Sequence, residues 1–351
     1  MAADIAIIGF AQSPSWRAAE LTEAQFLFPV ITEAIERAGI GRRDLGFTCA
    51  GSCDYLSGQT FSFVMNLEAV GAWPPISESH VEMDGAWALY EAWVRLQHGD
   101  IDTALVFGSG KSSPGVPSEI FPLQMDPYTI TPLGADPVSL AALQARAMLD
   151  AGKITEREMA EVVARSRRSA IGNPHAQVTG DHDVDSLLGE PYLTAPLRRH
   201  DLPPISDGAS AVVLATAGKA KEVCERPVWI RGIDHRIEVH QPGMRDLTTS
   251  ASTRMAGEKA GVGKAAVDVA ELSATFSHQE RILCEALGLD DKVDVNPSGG
   301  ALAANPVMAV GLSRVVEASR QIADHGKHRA VAHATSGQCL QQNLVAVLEG
   351  D

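Results

Sequence analysis

Residues 295–311, Val295-Asn-Pro-Ser-Gly-Gly-Ala-Leu-Ala-Ala-Asn-Pro-Val-Met-Ala-Val-Gly311, constrain this chain more than any other stretch. A short apolar run leads into a Gly-Gly turn, where backbone without Cβ atoms can approach a ligand closely. Pro306 is then expected to open a helix whose first amides can face an anionic oxygen. Strand, glycine turn and helix in direct succession read as an α/β architecture.

The same grammar recurs along the chain. Asp4 to Gly9 reads as a strand, followed by an amphipathic helix from Phe26 to Ala38 that stops at Gly39. Phe47 to Ala50 is a second strand, His80 to Gly85 a strand and turn, Ala86 to Gln97 a helix, and Thr103 to Gly108 a strand. From about residue 109 to 201 the texture changes to Pro-rich loops around helical patterns at Leu140 to Ala151 and Glu156 to Ala170, which reads as an insertion. Ser206 to Leu214 then restores a buried strand. A second half, beginning near Pro227, echoes the first with strands at Trp229 to Ile233, Asp268 to Leu272 and Arg329 to Ala334. The expected division is 1–225 and 226–351, a repeat of texture rather than of residue identity.

Composition excludes several classes. Acidic residues outnumber basic ones 44 to 29, giving a formal charge of -15, so nucleic acid is not an expected partner. No apolar run approaches the roughly 18 residues of a membrane span, and the first residues lack a basic signal-peptide flank; the expected location is the cytoplasm. The five cysteines, Cys49, Cys53, Cys224, Cys284 and Cys339, are odd in number and irregularly spaced, so neither disulfides nor a metal site is expected.

Four segments carry a resemblance: His80-Val-Glu-Met-Asp-Gly-Ala-Trp-Ala-Leu-Tyr-Glu91; Pro196-Leu-Arg-Arg-His200 with Ser206-Asp-Gly208; Asn296 to Pro306; and His333-Ala-Thr-Ser-Gly337. On these the chain resembles the thiolase superfamily. Within it, the chain is most similar to the lipid-transfer-protein, sterol-carrier-type thiolase-like aldolases of actinobacterial steroid side-chain degradation. The resemblance implies a thiolase fold: two βαβαβαββ halves in a five-layer αβαβα sandwich with an inserted loop domain. It also implies a homo- or heterodimer with a thiolase-like subunit, and a separate zinc-ribbon and OB-fold partner that binds CoA. The implied substrate is a steroid or lipid acyl-CoA. No tightly bound cofactor is implied, only the CoA moiety of that substrate.

The departures from the thiolase pattern bear on the chemistry. Counting back from Gly85 puts Glu82 where the nucleophilic cysteine would stand. Asn305 replaces the histidine of the Gly-His-Pro turn, Ser273 takes the polar position three residues before Phe276, and Gly337 stands where the second cysteine would be. Claisen chemistry needs a thiolate and a base to make it. A retro-aldol cleavage needs only a base for the β-hydroxyl and donors for the thioester enolate. The expected activity is therefore cleavage of a 3-hydroxyacyl-CoA, by this chain or by a complex containing it. The alternatives are a non-catalytic acyl-CoA-binding partner of an active homologue and an acyltransferase running through Cys339.

Glu82 and Asp84 are candidates to supply or orient the base, or else to cap the helix that follows. Asn305 can donate to an enolate oxygen or bind the glycine turn, with backbone at Gly300 and Gly337 assisting. His278 and His333 lie nearest the matched motifs and either act on protons or are buried. Aldolases of the resembled type use tyrosines, but none falls at Ser273 or Asn305, which leaves Tyr55 and Tyr128 in loops. Arg165, Arg167 and Arg168 on one helix, with Arg198 and Arg199 nearby, form either a CoA-phosphate patch or a solvated face.

Overall fold

The computed structural model describes residues 4–58 and 60–351. In the first half, β1 (Ile5–Gln12), α1 (Glu23–Arg37), β2 (Phe47–Gly51), α2 (Asp54–Ser57), α3 (Ser62–Val70), β3 (Glu78–Val81), α4 (Gly85–Leu96) and β4 (Thr103–Lys111) follow in order. The chain then leaves the sheet. It forms α5 (Pro117–Ile120), α6 (Pro137–Asp150), α7 (Glu156–Ser169), α8 (Val184–Leu188) and the small hairpin β5 (Tyr192–Thr194) and β6 (Leu197–Arg198). It returns as β7 (Asp207–Thr216) and α9 (Ala217–Val223). The second half comprises β8 (Val228–Ile237), α10 (Ala251–Ala260), β9 (Val269–Leu272), α11 (Gln279–Leu287), β10 (Asp294–Val295), α12 (Val310–Ala323), β11 (Arg329–Ser336) and β12 (Gln342–Glu349).

The strands run β10-β9-β11-β12-β8-β1-β7-β4-β2-β3. On each side of the β8–β1 contact the order and directions match. β1 and β8 are each antiparallel to the next strand inward in their half, that pair is antiparallel to a third, and the outer two pairings are parallel. The textural repeat of the sequence is thus a repeat of topology.

Side-chain alternation builds three stacked cores. Ile5, Ile7, Val106, Val212 and Leu214 of the first half-sheet meet Ala330, Ala332, Leu344 and Ala346 of the second in a central core that also holds α4 and α12. The opposite faces, such as Ala6, Ile8, Leu105 and Val213, pack on α1. Ala270, Leu272, Val345 and Val347 pack on α6, α10 and α11. The order of layers is helices, sheet, α4 with α12, sheet, helices: the five-layer sandwich of the thiolase fold.

Pro306 does not open a helix. Pro306 forms an isolated bridge with Ser206, residues 307–309 turn, with Met308 at φ 74°, and α12 starts at Val310. The delay has a visible cause in Asp84, whose buried carboxylate takes the helix start. Its Oδ2 accepts from the Gly311 amide at 2.9 Å, and its Oδ1 accepts from Leu312 at 2.9 Å and from Ala86 in α4 at 2.8 Å. The N-terminal amides expected to face an anionic ligand instead cap onto one side chain, which joins both central helices. The close crossing also needs glycine on β4, since a Cβ at Gly108 would lie 2.3 Å from the Met308 carbonyl oxygen and one at Gly110 1.7 Å from that of Val307.

Asp84→Ala removes a cap from two helices at once and leaves their amides buried. It is expected to cost about 3 kcal/mol, near two strong caps, read as a lower urea midpoint. A loss below about 1 kcal/mol would show that the two helix ends are held by other contacts.

Candidate active site

A cavity of about 200 Å³ opens where the two halves meet. Its wall brings together Tyr55 and Leu56 of α2, Asp84, Phe121, Thr275, Phe276 and Gln279, the 305–310 turn, and residues 335–340 after β11. Through Asn305, Val307, Phe276, Phe121, Pro137 and Pro203 it continues into an outer groove of about 670 Å³. That groove shares Arg17, Arg199 and the Leu202 to Ile205 segment with a further hollow of about 340 Å³. The system as a whole has the size of a pocket for a cofactor-like ligand.

Asn305 stands at the junction, lining both spaces. Its backbone amide donates to Ser206 Oγ at 3.0 Å, and Ser206 donates onward to Gln177. Its side-chain amide has no protein partner among the described residues and is free to donate to a ligand. Gly337, at φ 73°, makes the turn after β11 and also lines the cavity.

Other expected positions fall elsewhere. The Glu82 carboxylate is exposed and accepts from the Asp54 amide at 2.9 and 3.0 Å, so it caps α2 instead of facing the cavity. Asp84 reaches the cavity wall, yet three amides occupy it. Burial raises its pKa, while the Ala86, Gly311 and Leu312 amides and Arg314 oppose the rise. Gly300 lies outside the cavity with its amide already donated to Ser298 Oγ at 3.2 Å. Ser273 is fully buried outside the wall. Tyr128 is 86% exposed on the surface.

The two histidines are interior. His278 Nε2 lies 3.2 Å from Gln144 Oε1, and burial pulls its pKa down to about 3. His333 Nε2 lies 3.0 Å from Asn343 Oδ1; burial lowers its pKa to about 4 despite that bond. Both imidazoles are neutral at physiological pH and lie outside the cavity wall. Tyr55 does line it, with a buried hydroxyl that has no partner among the described residues. Burial first, then Cys53 and Glu82, push its phenol pKa up, so it stands protonated.

Cys339 also reaches the wall. Burial raises its thiol to about 11, only partly countered by Arg245, and the thiol donates to the Leu140 carbonyl. A protonated thiol held this way is a weak nucleophile. The titratable groups on the described wall are therefore Tyr55, Asp84 and Cys339, and none is an imidazole.

Of the three arginines expected on α7, the fold separates one from two. Arg165 pairs with Glu280, and Arg168 pairs with Asp181 at 2.7 Å. Arg198 pairs with Glu156 and lies 4.4 Å over the Tyr192 ring. Arg167 lines the hollow beyond the groove together with Arg17 and Arg199, and these three make no ion pair among the described residues. Arg17, in the loop after β1, was missed because nothing periodic marks it. Thr275, Gln279 and Gln338 were also missed; their proximity to Phe276 and Gly337 was the available signal.

No protein-family model matches the chain. The acetyl-CoA acetyltransferase of Methanothermobacter thermautotrophicus is 27% identical over 95% of this chain and 94% of its own length. Sterol carrier protein 2 of Bos taurus is 24% identical over 74% of this chain and 54% of its own length. Among solved structures, the Ltp2-ChsH2(DUF35) aldolase superposes with a TM-score of 0.83 at 19% identity, covering 99% of this chain and 98% of that one. The Bacillus anthracis acetyl-CoA acetyltransferase superposes with a TM-score of 0.78 at 17% identity, covering 100% and 99%. No helix among the described residues is long and apolar enough to cross a membrane.

Iodoacetamide labelling followed by mass spectrometry is expected to modify Cys339 only as pH climbs toward about 11. Fast labelling at pH 7 would instead reveal an activated thiolate. The chain has the α/β fold of the thiolases, and its relatives in sequence are thiolase-superfamily proteins and sterol carrier protein 2.

Proposed function

We propose that this protein binds a 3-hydroxyacyl-CoA thioester of a steroid or related lipid and holds its enolate during retro-aldol cleavage, as the thiolase-like subunit of a carbon–carbon lyase. The observation that carries the reading is Asn305, a free amide donor at the mouth of a cavity where, among the described residues, the one thiol is protonated and no imidazole lines the wall. In that reading the thioester carbonyl lies beside Asn305. The acyl part enters the inner cavity, and the CoA phosphates extend toward Arg17, Arg167 and Arg199, which line the outer spaces and make no ion pair among the described residues. As the Cα–Cβ bond breaks, its electron pair moves into the thioester, and the Asn305 amide with the turn at Gly337 meets the charge that develops on oxygen.

The scarcity of acid–base groups on the wall favours work within a complex. The partners proposed are a second thiolase-like chain, identical or homologous, and a CoA-binding zinc-ribbon and OB-fold protein. The similarity to a structure described as an Ltp2-ChsH2(DUF35) aldolase supports this choice. Acyl transfer through Cys339 is not favoured, since it would require removing a proton held by burial and by the Leu140 carbonyl.

Calorimetry with CoA is expected to show binding that weakens at least about tenfold in an Arg17→Ala, Arg167→Ala, Arg199→Ala variant, the loss of roughly one charge-assisted contact. With a branched 3-hydroxyacyl-CoA and the partner present, ketone release should fall by about 100-fold or more in Asn305→Ala, as for removal of one oxyanion donor. The proposal fails if the wild-type complex releases no ketone, or if Asn305→Ala leaves the rate intact.

A further inference from the structure

Behind the inner cavity lies a smaller polar chamber of about 20 Å³. Leu56, Val307 and Met308 line both spaces and form the wall between them. The chamber is walled by Ser52 and Cys53 after β2, Asn66 on α3, Ser109 and Lys111 on β4, and Glu23 in the first turn of α1.

Its polar groups are not satisfied by one another. Among the described residues, the Ser52 hydroxyl, on a residue 4% exposed, and Asn66 Oδ1, on a residue 3% exposed, have no partner. Two unpaired buried polar atoms facing a space of this size are what an ordered water molecule occupies. The remaining bonds run toward Glu23. Asn66 Nδ2 donates to Ser109 Oγ at 3.2 Å, which leaves the Ser109 hydroxyl proton free to donate to the Glu23 carboxylate. On the cavity side, the unpartnered Tyr55 hydroxyl sits beside Cys53, which lines the chamber.

We infer that this chamber is a water-filled proton relay and that Glu23 is the proton acceptor at its far end for the cleavage proposed above, on which the inference rests. Glu23 does not touch substrate; it acts through the water held by Ser52, Asn66 and Ser109. The balance is complete without any added reactant. The β-hydroxyl O–H bond breaks and its proton goes to the Tyr55 hydroxyl oxygen on the cavity wall, as the Tyr55 O–H proton passes through the chamber water to the carboxylate. The oxygen pair forms the ketone C=O as the Cα–Cβ bond breaks, and the pair of that bond becomes the enolate. A proton then returns along the same route to the α-carbon, giving the shortened acyl-CoA.

The surroundings make Glu23 a better proton acceptor than an exposed carboxylate. Burial raises the Glu23 pKa from its ordinary value, and Asp207 on β7 adds to the rise. Lys111 and Ser109 on β4 oppose it. Asp207 is itself occupied by the Ala19 and Ser113 amides and the Ser113 hydroxyl. Lys111 donates to the Leu21 carbonyl. Cys53, the other titratable group on the wall, is raised by burial to about 11 and stays protonated.

The test is the pH dependence of kcat for the assembled complex, with CoA affinity and thermal unfolding measured alongside. Wild-type kcat should fall as pH drops through the raised Glu23 pKa, because the carboxylate must be unprotonated to accept. Glu23→Gln should lower kcat by about 100-fold and abolish this acidic limb, with CoA affinity and melting temperature unchanged. Glu23→Asp should keep the limb at a reduced rate. A wild-type limb retained in Glu23→Gln overturns the relay while leaving the lyase reading intact. A rate loss matched by loss of CoA binding or of stability in both variants overturns it in favour of a structural role. A wild-type complex that binds CoA but cleaves nothing removes the lyase reading and the relay together.

Discussion

The Asp84 carboxylate holds the middle of this molecule. It lies between the two half-sheets and accepts from the first amides of α4 and from those of α12, so one side chain closes the helix starts of both halves. Two positive helix ends brought together would repel if neither were neutralised. A buried carboxylate receiving three amide hydrogens supplies the opposite charge and satisfies donors that would otherwise be orphaned. The same contact sets the geometry of the site, because it fixes where α12 begins and therefore keeps residues 305–309 as a turn.

That turn is where fold and chemistry meet. The Met308 carbonyl accepts from the Gly85 amide at 2.9 Å, and the glycines of β4 let the turn lie across the sheet. Asn305 is then presented at the junction of the inner cavity and the outer groove with its side chain unclaimed. A strand-to-helix segment of the usual kind would have offered helix amides to a ligand. Here those amides serve the protein, and the donor left for the ligand is a side chain.

Electrostatics sort the remaining groups by burial. His278, His333, Cys339 and Tyr55 are all shifted toward their neutral forms by desolvation. The interior therefore disfavours both a thiolate and an imidazolium. Meanwhile Glu280, Asp181 and Glu156 pair with Arg165, Arg168 and Arg198, while Arg17, Arg167 and Arg199 line the groove or the hollow beyond it. The proposed binding of a thioester on an anionic carrier rests on this contrast between a neutral interior and cations at the outer spaces.

Continuous apolar runs such as Ile5 to Ile8 and Val212 to Leu214 read as strands buried on both faces, and the glycines that stop them mark the turns. The order of the five layers came from the resemblance to the thiolases, not from these runs. The same resemblance singled out Asn305 and Gly337, and both line the cavity. Which charged groups line the cavity is set by the assembled fold. Glu82 and Asp84 sit two residues apart, yet one caps a four-residue helix at the surface and the other joins two helices in the core. Arg165, Arg167 and Arg168 share one helix, yet Glu280 and Asp181 claim two of them from remote parts of the chain. Whether a polar group is free or occupied depends on remote partners, as between Asp84 and Leu312, 228 residues apart. No local pattern encodes such a partner, because burial and pairing are properties of the assembled interior.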